Sequence, residues 1–532
     1  MGRKPILLVV VSLALGLGAC LWLAQRAATE GMASVGGVVI DADGPVAGAT
    51  VRQQTTTIST TSLEDGTFTL DGLTEGITVT VTAWGVGYYP GGVQICPPSS
   101  GIVITLTAHP TGDNKDYEWY TSMPDPDQPI GCGHCMVAFP QWEKNAHAGS
   151  ATNPRFFSLY NGTNATGTEH IGGGYKDDFP GTAGNCATCH APGAAANYPF
   201  TADMNELTGV ETEGVLCEYC HKIGAAYLDE TTGLPYPNAP GVVSYELVRP
   251  PSDTHMFFGP FDDVTRRVSY LELEKQSQFC APCHQFSFWG TPIYESFREW
   301  LESPYPDMGI ECQTCHMKPT GIDHFVLLEK GGLIRRPETI ASHLQPGASD
   351  LELLQNTVEM TLSARQVGDR IRVSASVTNT EAGHHVPTDF PGRHMILTIA
   401  ATDGEGGPLS QVGGPTVPEW GGAQAGLPGK AYAKVLRDVA SGEYPVVSYW
   451  KQALIVSDNR IPAFGTDVST YALAAPSEAG TVSVVAELRF RRVFQDLLDV
   501  KGWDAPDIVM EEETLSLMTA GFYNVRLPIL LK

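Results

Sequence analysis

Five Cys-x-x-Cys pairs stand between Cys132 and His316. They read Cys132-Gly-His-Cys135-Met136, Cys186-Ala-Thr-Cys189-His190, Cys217-Glu-Tyr-Cys220-His221, Cys280-Ala-Pro-Cys283-His284 and Cys312-Gln-Thr-Cys315-His316. Ten of the twelve cysteines lie in these pairs, and His follows the second Cys in four of them. Cys-x-x-Cys-His is the attachment signature of c-type haem, in which both cysteines form thioethers with the macrocycle and the His binds the iron from one face.

Two other uses of paired cysteines explain the pattern less well. Zinc sites combine such pairs into closed tetrahedral sets and give no reason for a His at the next position. Disulfides have no reason to repeat this spacing. We therefore expect covalent haem c at all five pairs, or at four if the Cys132 site is empty.

The first pair departs from the signature because Met136 stands where His is expected. Met136 could itself ligate the iron, which would raise its reduction potential. A His from elsewhere could supply the bond, or the iron could be five-coordinate and open to substrate. The pair could also bind no haem and form a disulfide.

The formal charge of the 532-residue chain is −26. So acidic a protein disfavours nucleic acid and anionic lipid headgroups as partners, and favours a basic partner or an oxidised metal centre. Arg3 and Lys4 precede an apolar run over residues 5–24, so residues 1–28 are expected to be a signal peptide or membrane anchor. Lipidation at Cys20 is an alternative. Either reading predicts an extracytoplasmic protein, in the periplasm or at the cell surface.

Residues 34–110 have the pattern of a small β-sandwich, with short β-like runs such as 67–70 and 79–82 between turn sequences. The segment resembles the carboxypeptidase regulatory-like module, an immunoglobulin-like β-sandwich. The matching residues are Gly37-Val-Val-x-Asp41, Gly44-Pro-Val-x-Gly48-Ala-x-Val51, Asp65-Gly66-x-Phe68-x-Leu70 and Trp84-Gly-Val-Gly-Tyr88. The resemblance implies a spacer or docking role and no peptidase chemistry.

The remainder of the chain predicts two further domains. Residues 113–346 carry the haem motifs on weakly periodic, Gly- and Pro-rich sequence, which indicates short helices and long loops. Residues 350–532 alternate apolar and polar side chains, as in 371–377, and predict a C-terminal β-sandwich. The expected fold class is thus multidomain, with a small β-sandwich, a loop-rich α multihaem domain and a C-terminal β-sandwich packed on the haem domain.

Five stretches resemble a widespread group of bacterial and archaeal multihaem cytochromes c, over roughly residues 115–530. They are Trp142-Glu-Lys-Asn-Ala-His147-Ala, His255-Met-Phe-Phe-Gly259-Pro260-Phe, Phe279-Cys-Ala-Pro-Cys-His284-Gln-Phe with Glu299-Trp300-Leu-Glu-Ser303-Pro-Tyr, Cys312-Gln-Thr-Cys-His316-Met followed by His324-Phe, and Gly383-His384-His-Val-Pro387-Thr388 with Pro391 and Arg393. In this chain Asp389 stands where that group's pattern has Gly.

The motif histidines supply one axial ligand to each iron, so the resemblance is used to place the second. The iron ligands expected from the motifs are His190, His221, His284 and His316. The resemblance implies opposite ligands at His147, His255, His324 and His384, with His343 as a fifth. His170 is a reserve candidate, whereas His134, His385 and His394 are expected to be structural.

Irons with two His ligands have no open position, so they pass electrons and do not turn over substrate. We therefore expect an exported multihaem cytochrome, a non-enzymatic carrier that relays electrons between its haems and to extracytoplasmic redox partners. One alternative is an oxidoreductase acting on a small nitrogen or sulfur compound at the Cys132 haem. Another is a cytochrome that self-assembles into filaments.

The number of covalent haems is the first testable quantity. Mass spectrometry of the mature protein is expected to show five haem additions, because five Cys-x-x-Cys pairs are present. Four additions would mean that the Cys132 pair is empty. None would refute the assignment of the motifs.

Overall fold

The computed structural model describes residues 31–123, 135, 137–251 and 254–521. The expected targeting segment at 1–28, with Cys20, lies outside these residues, as do Cys132, His134 and Met136. Within the described ranges, no helix is long and apolar enough to cross a membrane.

The described chain is mostly β-structure. Its strands are β1 (Met32–Ile40), β2 (Thr50–Gln53), β3 (Ser59–Thr61), β4 (Thr67–Thr74), β5 (Val79–Trp84), β6 (Tyr88–Tyr89), β7 (Gly91–Ile95), β8 (Ser99–Thr105), β9 (Thr107–Ala108), β10 (Ile223–Ala226), β11 (Tyr245–Leu247), β12 (Phe257–Gly259), β13 (Val268–Tyr270), β14 (Phe286–Phe288), β15 (Thr291–Tyr294), β16 (Val358–Val367), β17 (Arg370–Asn379), β18 (His394–Thr402), β19 (Gln411–Gly413), β20 (Gly429–Asp438), β21 (Ala453–Asp458), β22 (Thr466–Ala474), β23 (Gly480–Arg491) and β24 (Ile508–Thr519).

The α-helices of the described residues are one or two turns long. They are α1 (Ala138–Trp142), α2 (Pro154–Asn161), α3 (Tyr175–Asp178), α4 (Ala187–His190), α5 (Pro192–Ala195), α6 (Cys217–Cys220), α7 (Ala281–His284), α8 (Ser296–Leu301), α9 (Cys312–His316), α10 (Leu351–Gln355) and α11 (Gln495–Lys501). Helices this short are not stable on their own, so contacts with the rest of the fold hold them.

The described chain divides into two compact units, of which the first is a small β-sandwich. One sheet has the strand order β4-β1-β8 and the other β3-β2-β5-β7. Side chains that point inward from alternate strand positions, such as Val35, Val39, Val51 and Val81, share one buried core between these sheets.

Two later segments, Val248–Glu272 and Gly331–Arg336, also belong to this first unit. The indole nitrogen of Trp84 donates to Ser269 Oγ at 3.2 Å. The hydroxyl of Tyr89 donates to the carbonyl of His255 at 2.9 Å. Thus part of the segment predicted as the multihaem domain folds with the small sandwich.

The second unit contains the four complete motifs and the C-terminal strands. The C-terminal strands form sheets of order β16-β17-β22-β19 and β21-β20-β18-β23-β24. In β17, alternate residues Ile371, Val373, Ala375 and Val377 are buried, as the sequence alternation predicts. They join inward side chains of the other sheet in one core, which makes this region a β-sandwich.

A buried lysine links the C-terminal region to the motif region of the same unit. Lys501, at the end of α11, is fully buried. Its ammonium donates to the carbonyls of Ser158 at 3.1 Å, Thr163 at 3.0 Å and Gly173 at 2.7 Å. The three carbonyls satisfy all three donors of the ammonium, which is the condition for burying it.

Replacing Lys501 by Met is expected to lower the free energy of unfolding by about 3 kcal/mol, because buried carbonyls lose their donor. Denaturation of the holoprotein in guanidinium measures the change. Lys144→Met is the matched control, since Lys144 is exposed and substitutions at exposed positions change the free energy of unfolding by about 0.5 kcal/mol or less. Equal guanidinium concentrations at the unfolding midpoints of the two variants would contradict the role assigned to Lys501.

Candidate functional site

Each complete motif forms one helical turn. The amide of His190 donates to the carbonyl of Cys186 at 3.0 Å, and the amide of His284 to that of Cys280 at 3.1 Å. One turn places residues i, i+3 and i+4 on the same side of a helix. The two cysteines and the histidine of a motif therefore face one side, as attachment of a single planar group requires.

The thiols of different motifs lie close together. Cys189 contacts Cys283, and Cys280 contacts Cys312. Burial raises the pKa of Cys186 and of Cys220 to about 12, so these thiols are uncharged at neutral pH. The contacts place the Cys280 motif between the Cys186 motif and the Cys312 motif.

Cys135 is the one described cysteine of the first pair. Burial, with a smaller contribution from the neighbouring Cys217, raises its pKa to about 11. This places the end of the first pair near the Cys217 motif. The other residues that define the first site, Cys132 and Met136, lie outside the described residues.

Three of the expected distal histidines lie opposite motif histidines. The ring centroids are 6.3 Å apart for His147 and His284, 6.5 Å for His221 and His343, and 6.3 Å for His316 and His384. None of the six residues neighbours its partner in the sequence, so the folded chain alone brings them together.

These separations match two imidazoles bound to one metal ion from opposite faces. A metal–imidazole bond is about 2 Å long and the ring centroid lies about 1 Å further, so two such rings have centroids about 6 Å apart. Rings in direct van der Waals contact would lie closer, as the 4.1 Å between His190 and Phe156 illustrates. The three pairs therefore fit bis-imidazole ligation of haem iron.

The fourth motif histidine has different neighbours. His190 stacks on Phe156, and its Nδ1 is 3.3 Å from the carbonyl of Ser150. Phe156 lies on α2, whose first turn is capped by the side chain of Asn153 and begins with Pro154. The described contacts assign no histidine ring opposite His190.

Burial keeps two of the distal histidines neutral. It lowers the pKa of His147 and of His343 to about 4 in each case. A histidine must be neutral to bind a metal, so both residues are ready ligands at neutral pH.

The side chains of Asn145 and Gln345 orient these two distal histidines together. Gln345 Oε1 is 2.6 Å from His147 Nδ1 and accepts at 2.9 Å from the amide of Asn145. The side-chain amide of Asn145 also donates to the backbone carbonyl of His343 at 2.8 Å. The bond to Gln345 occupies Nδ1 of His147 and leaves Nε2 available as the ligand.

A buried ionic network holds the loop that carries His384. Glu299 on α8 accepts from the hydroxyl of Thr388 at 2.6 Å and from the amide of His385 at 3.1 Å. Arg460 pairs with Glu299 at 2.7 Å. Since both charges are buried and paired, they fix the loop against α8.

Asp389 follows Thr388 in the sequence, and its side chain lies beside His284. Its φ of +60° is in the left-handed region, which explains why glycine suits this position and why Asp, which tolerates that region, can replace it. Its carboxylate lies 3.4 Å from His284 Nδ1. Burial acts to raise the pKa of Asp389, but the contact with His284 and the charge of Arg393 hold it well below its ordinary value.

The other predicted histidines lie elsewhere. His255 belongs to the first compact unit. His324 Nδ1 is 2.6 Å from Asp323 Oδ1, and His170 is exposed beside Asp177. His394 is buried in β18, where its ring stacks on Phe494 at 4.9 Å. His385 Nδ1 is 3.7 Å from Glu299.

Sequence reasoning missed the polar residues behind the histidines, namely Asn145, Gln345 and Glu274. Glu274 Oε1 lies 3.3 Å from His221 Nδ1. Asn145 lies within the quoted stretch that ends at His147-Ala, but its contact with His343 was not visible there. The contacts of Gln345 and Glu274 are likewise to histidines of distant segments. The Asp at position 389 was visible as a departure from the expected Gly, but its contact with His284 was not.

The solved structures that match include a penta-haem cytochrome c552 from Thermochromatium tepidum. It is 19% identical, the match covers 73% of this chain and 97% of that chain, and the TM-score is 0.53. The two chains share a fold. This supports the resemblance to multihaem cytochromes c at the level of fold.

Two other solved structures match much less well. A structural genomics target is 11% identical over 33% of this chain and 92% of that chain, with a TM-score of 0.14. The Fcho1 mu homology domain from Danio rerio with bound Eps15 peptide is 8% identical over 31% of this chain and 44% of that chain, with a TM-score of 0.12. No family model and no curated protein matches the sequence.

Replacing His384 by Ala is expected to convert one low-spin haem to a high-spin haem, because it removes the ring opposite His316. Electron paramagnetic resonance and visible spectra of the oxidised protein measure the change. His385→Ala is the matched control, since it removes the adjacent imidazole and leaves the opposed pair intact. Identical spectra for H384A and the unaltered protein would refute the assignment.

Proposed function

We propose that the protein is an exported multihaem c-type cytochrome that relays electrons between its haems and extracytoplasmic redox partners. The observation that carries the proposal is the set of three opposed histidine pairs beside Cys-x-x-Cys-His motifs. Thioether-forming cysteines together with paired imidazoles are the protein ligands typical of haem c.

The chain's residues divide into three complete haem sites and two partial ones. Cys217 and Cys220 attach the haem held by His221 and His343. Cys280 and Cys283 attach the haem held by His284 and His147. Cys312 and Cys315 attach the haem held by His316 and His384.

The partial sites are at the Cys186 and Cys132 pairs. At the first, Cys186 and Cys189 attach the haem and His190 supplies one ligand. At the second, Cys135 is half-buried, and the alternatives that Met136 raises in the sequence stay open. The resemblance implies further distal ligands at His255 and His324, and neither is assigned to a particular motif.

Haem iron supplies reversible one-electron chemistry when bound. Whether an iron relays electrons or binds a substrate depends on which protein ligands occupy its coordination positions. Histidines on both faces of an iron leave no coordination position for a substrate, which favours relay over turnover. The thiol contacts between Cys189 and Cys283, and between Cys280 and Cys312, put neighbouring sites close enough for electrons to pass.

Export and membrane association are proposed from the sequence alone. The apolar run at residues 5–24 follows positive charge, as in signal peptides and anchors. The net charge of −26 favours basic docking surfaces on the redox partners. The first compact unit, a small β-sandwich, is proposed as a spacer or docking module.

Ligand addition separates a relay from an enzyme. If every iron is six-coordinate, carbon monoxide added to the reduced protein and nitrite or cyanide added to the oxidised protein are expected to leave the visible spectrum unchanged. The H384A variant provides the positive control, because its opened iron should bind carbon monoxide. A response of the unaltered protein would instead show an open iron, at the Cys132 or the Cys186 site, and would support the alternative of an oxidoreductase.

A further inference from the structure

The Nδ1 atoms of the four motif histidines have two kinds of neighbour. His316 Nδ1 is 2.8 Å from the carbonyl of Pro346, and His190 Nδ1 is 3.3 Å from the carbonyl of Ser150. By contrast, carboxylates lie at this position in the other two motifs. His221 Nδ1 is 3.3 Å from Glu274 Oε1, and His284 Nδ1 is 3.4 Å from Asp389 Oδ2.

Both carboxylates are largely buried, and hydrogen bonds also anchor Asp389 and its loop. The side chains of Glu274 and Asp389 are 9% and 12% exposed. Asp389 Oδ1 accepts from the amide of Ser296 at 3.2 Å, which anchors the carboxylate to the start of α8. The nearby guanidinium of Arg393 donates to the carbonyl of Thr388 at 3.2 Å, so it also braces the loop.

The distal histidines carry no such charge at Nδ1. Gln345 Oε1 is the neighbour of His147, and the carbonyl of His385 is the neighbour of His384 at 2.9 Å. Among the described residues, Nδ1 of His343 has no hydrogen-bond partner. The sites therefore differ in the group beside Nδ1 of the motif histidine, which is a carboxylate in two motifs and a backbone carbonyl in the other two.

A carboxylate behind a metal-bound imidazole changes the electronic character of the metal. Accepting the Nδ1 proton in a charge-assisted bond makes Nε2 a stronger donor, whereas a neutral carbonyl does so less. The negative charge also stabilises the more positive ferric state, and weak screening in a buried site strengthens this effect. At His284, which has a hydrogen bond to Asp389, both contributions lower the reduction potential. Among the described residues Glu274 Oε1 has no hydrogen-bond partner, so at His221 the nearby negative charge alone lowers the reduction potential.

We infer that Glu274 and Asp389 set the haems of His221 and His284 at lower reduction potentials than those of His190 and His316. This rests on the proposed function, since it concerns haems that the motifs attach. The thiol contacts place the His284 site between the His190 and His316 sites. The reduction potential is therefore lowest at the middle site of the three, that of His284. Electrons added one at a time occupy the sites of His190 and His316 first.

Redox titration of haem-loaded variants tests the inference. Asp389→Asn removes the charge, retains the size and tolerates the positive φ, and Glu274→Gln does the same for the second carboxylate. Each variant is expected to raise the midpoint potential of one haem by at least about 59 mV, which corresponds to a tenfold change in a one-electron reduction equilibrium. The double variant should raise two midpoints. Electron paramagnetic resonance should show that all bis-histidine irons stay low-spin.

Glu302→Gln is the matched control, because it removes an exposed carboxylate from the same unit, 72% exposed and without a histidine contact. Midpoints that move no more in D389N and E274Q than in E302Q would overturn the inference. Loss of a haem in both carboxylate variants would also overturn it, because the carboxylates would then hold the ligands rather than tune them. If only one variant loses a haem, the midpoint potentials of the other variant, compared with those of E302Q, decide whether the inference stands.

The proposed function fails in a different way. It fails if the unaltered protein carries no covalent haem by mass. A protein that is fully loaded with low-spin haem, but whose potentials do not respond to either substitution, contradicts only the role of Glu274 and Asp389.

Discussion

Opposed imidazole rings are the constraint on which the second compact unit depends. Each pair joins a one-turn motif helix to a distant segment, and helices this short cannot hold their own shape. His384 comes from the loop between β17 and β18, and His343 from the irregular chain before the C-terminal sandwich. The fold therefore positions the motif helices from outside, and the C-terminal sandwich is part of the site.

The polar residues behind these rings explain how the fold keeps the separations constant. Gln345 and Asn145 bind two histidine segments to each other, and the buried pair of Glu299 and Arg460 fixes the His384 loop. Burying these charges is costly unless each is paired, which ties the loop to one conformation. The same framework places carboxylates behind only two of the four motif histidines, so the sites are chemically unequal although their sequences repeat.

The sequence predicted what is local and missed what is tertiary. The spacing of Cys186, Cys189 and His190 defines a haem site within a single turn, so no fold was needed to recognise it. The distal ligands His147, His343 and His384 were found only by resemblance, because nothing local relates them to a motif. Their pairing, and the contacts of Glu274 and Asp389, depend on how distant segments meet. The alternation in β17 predicted its buried face, but the inclusion of 248–272 in the first unit had no local signal.

Anomalous scattering at the iron edge, from crystals of the mature protein, tests the central claim most directly. The account predicts an iron atom between the rings of His147 and His284, another between His221 and His343, and a third between His316 and His384. Iron bound to any of these motif histidines, with the opposite ring displaced or replaced by another ligand, would contradict the proposed ligation. Rings that face each other without iron between them would contradict it as well.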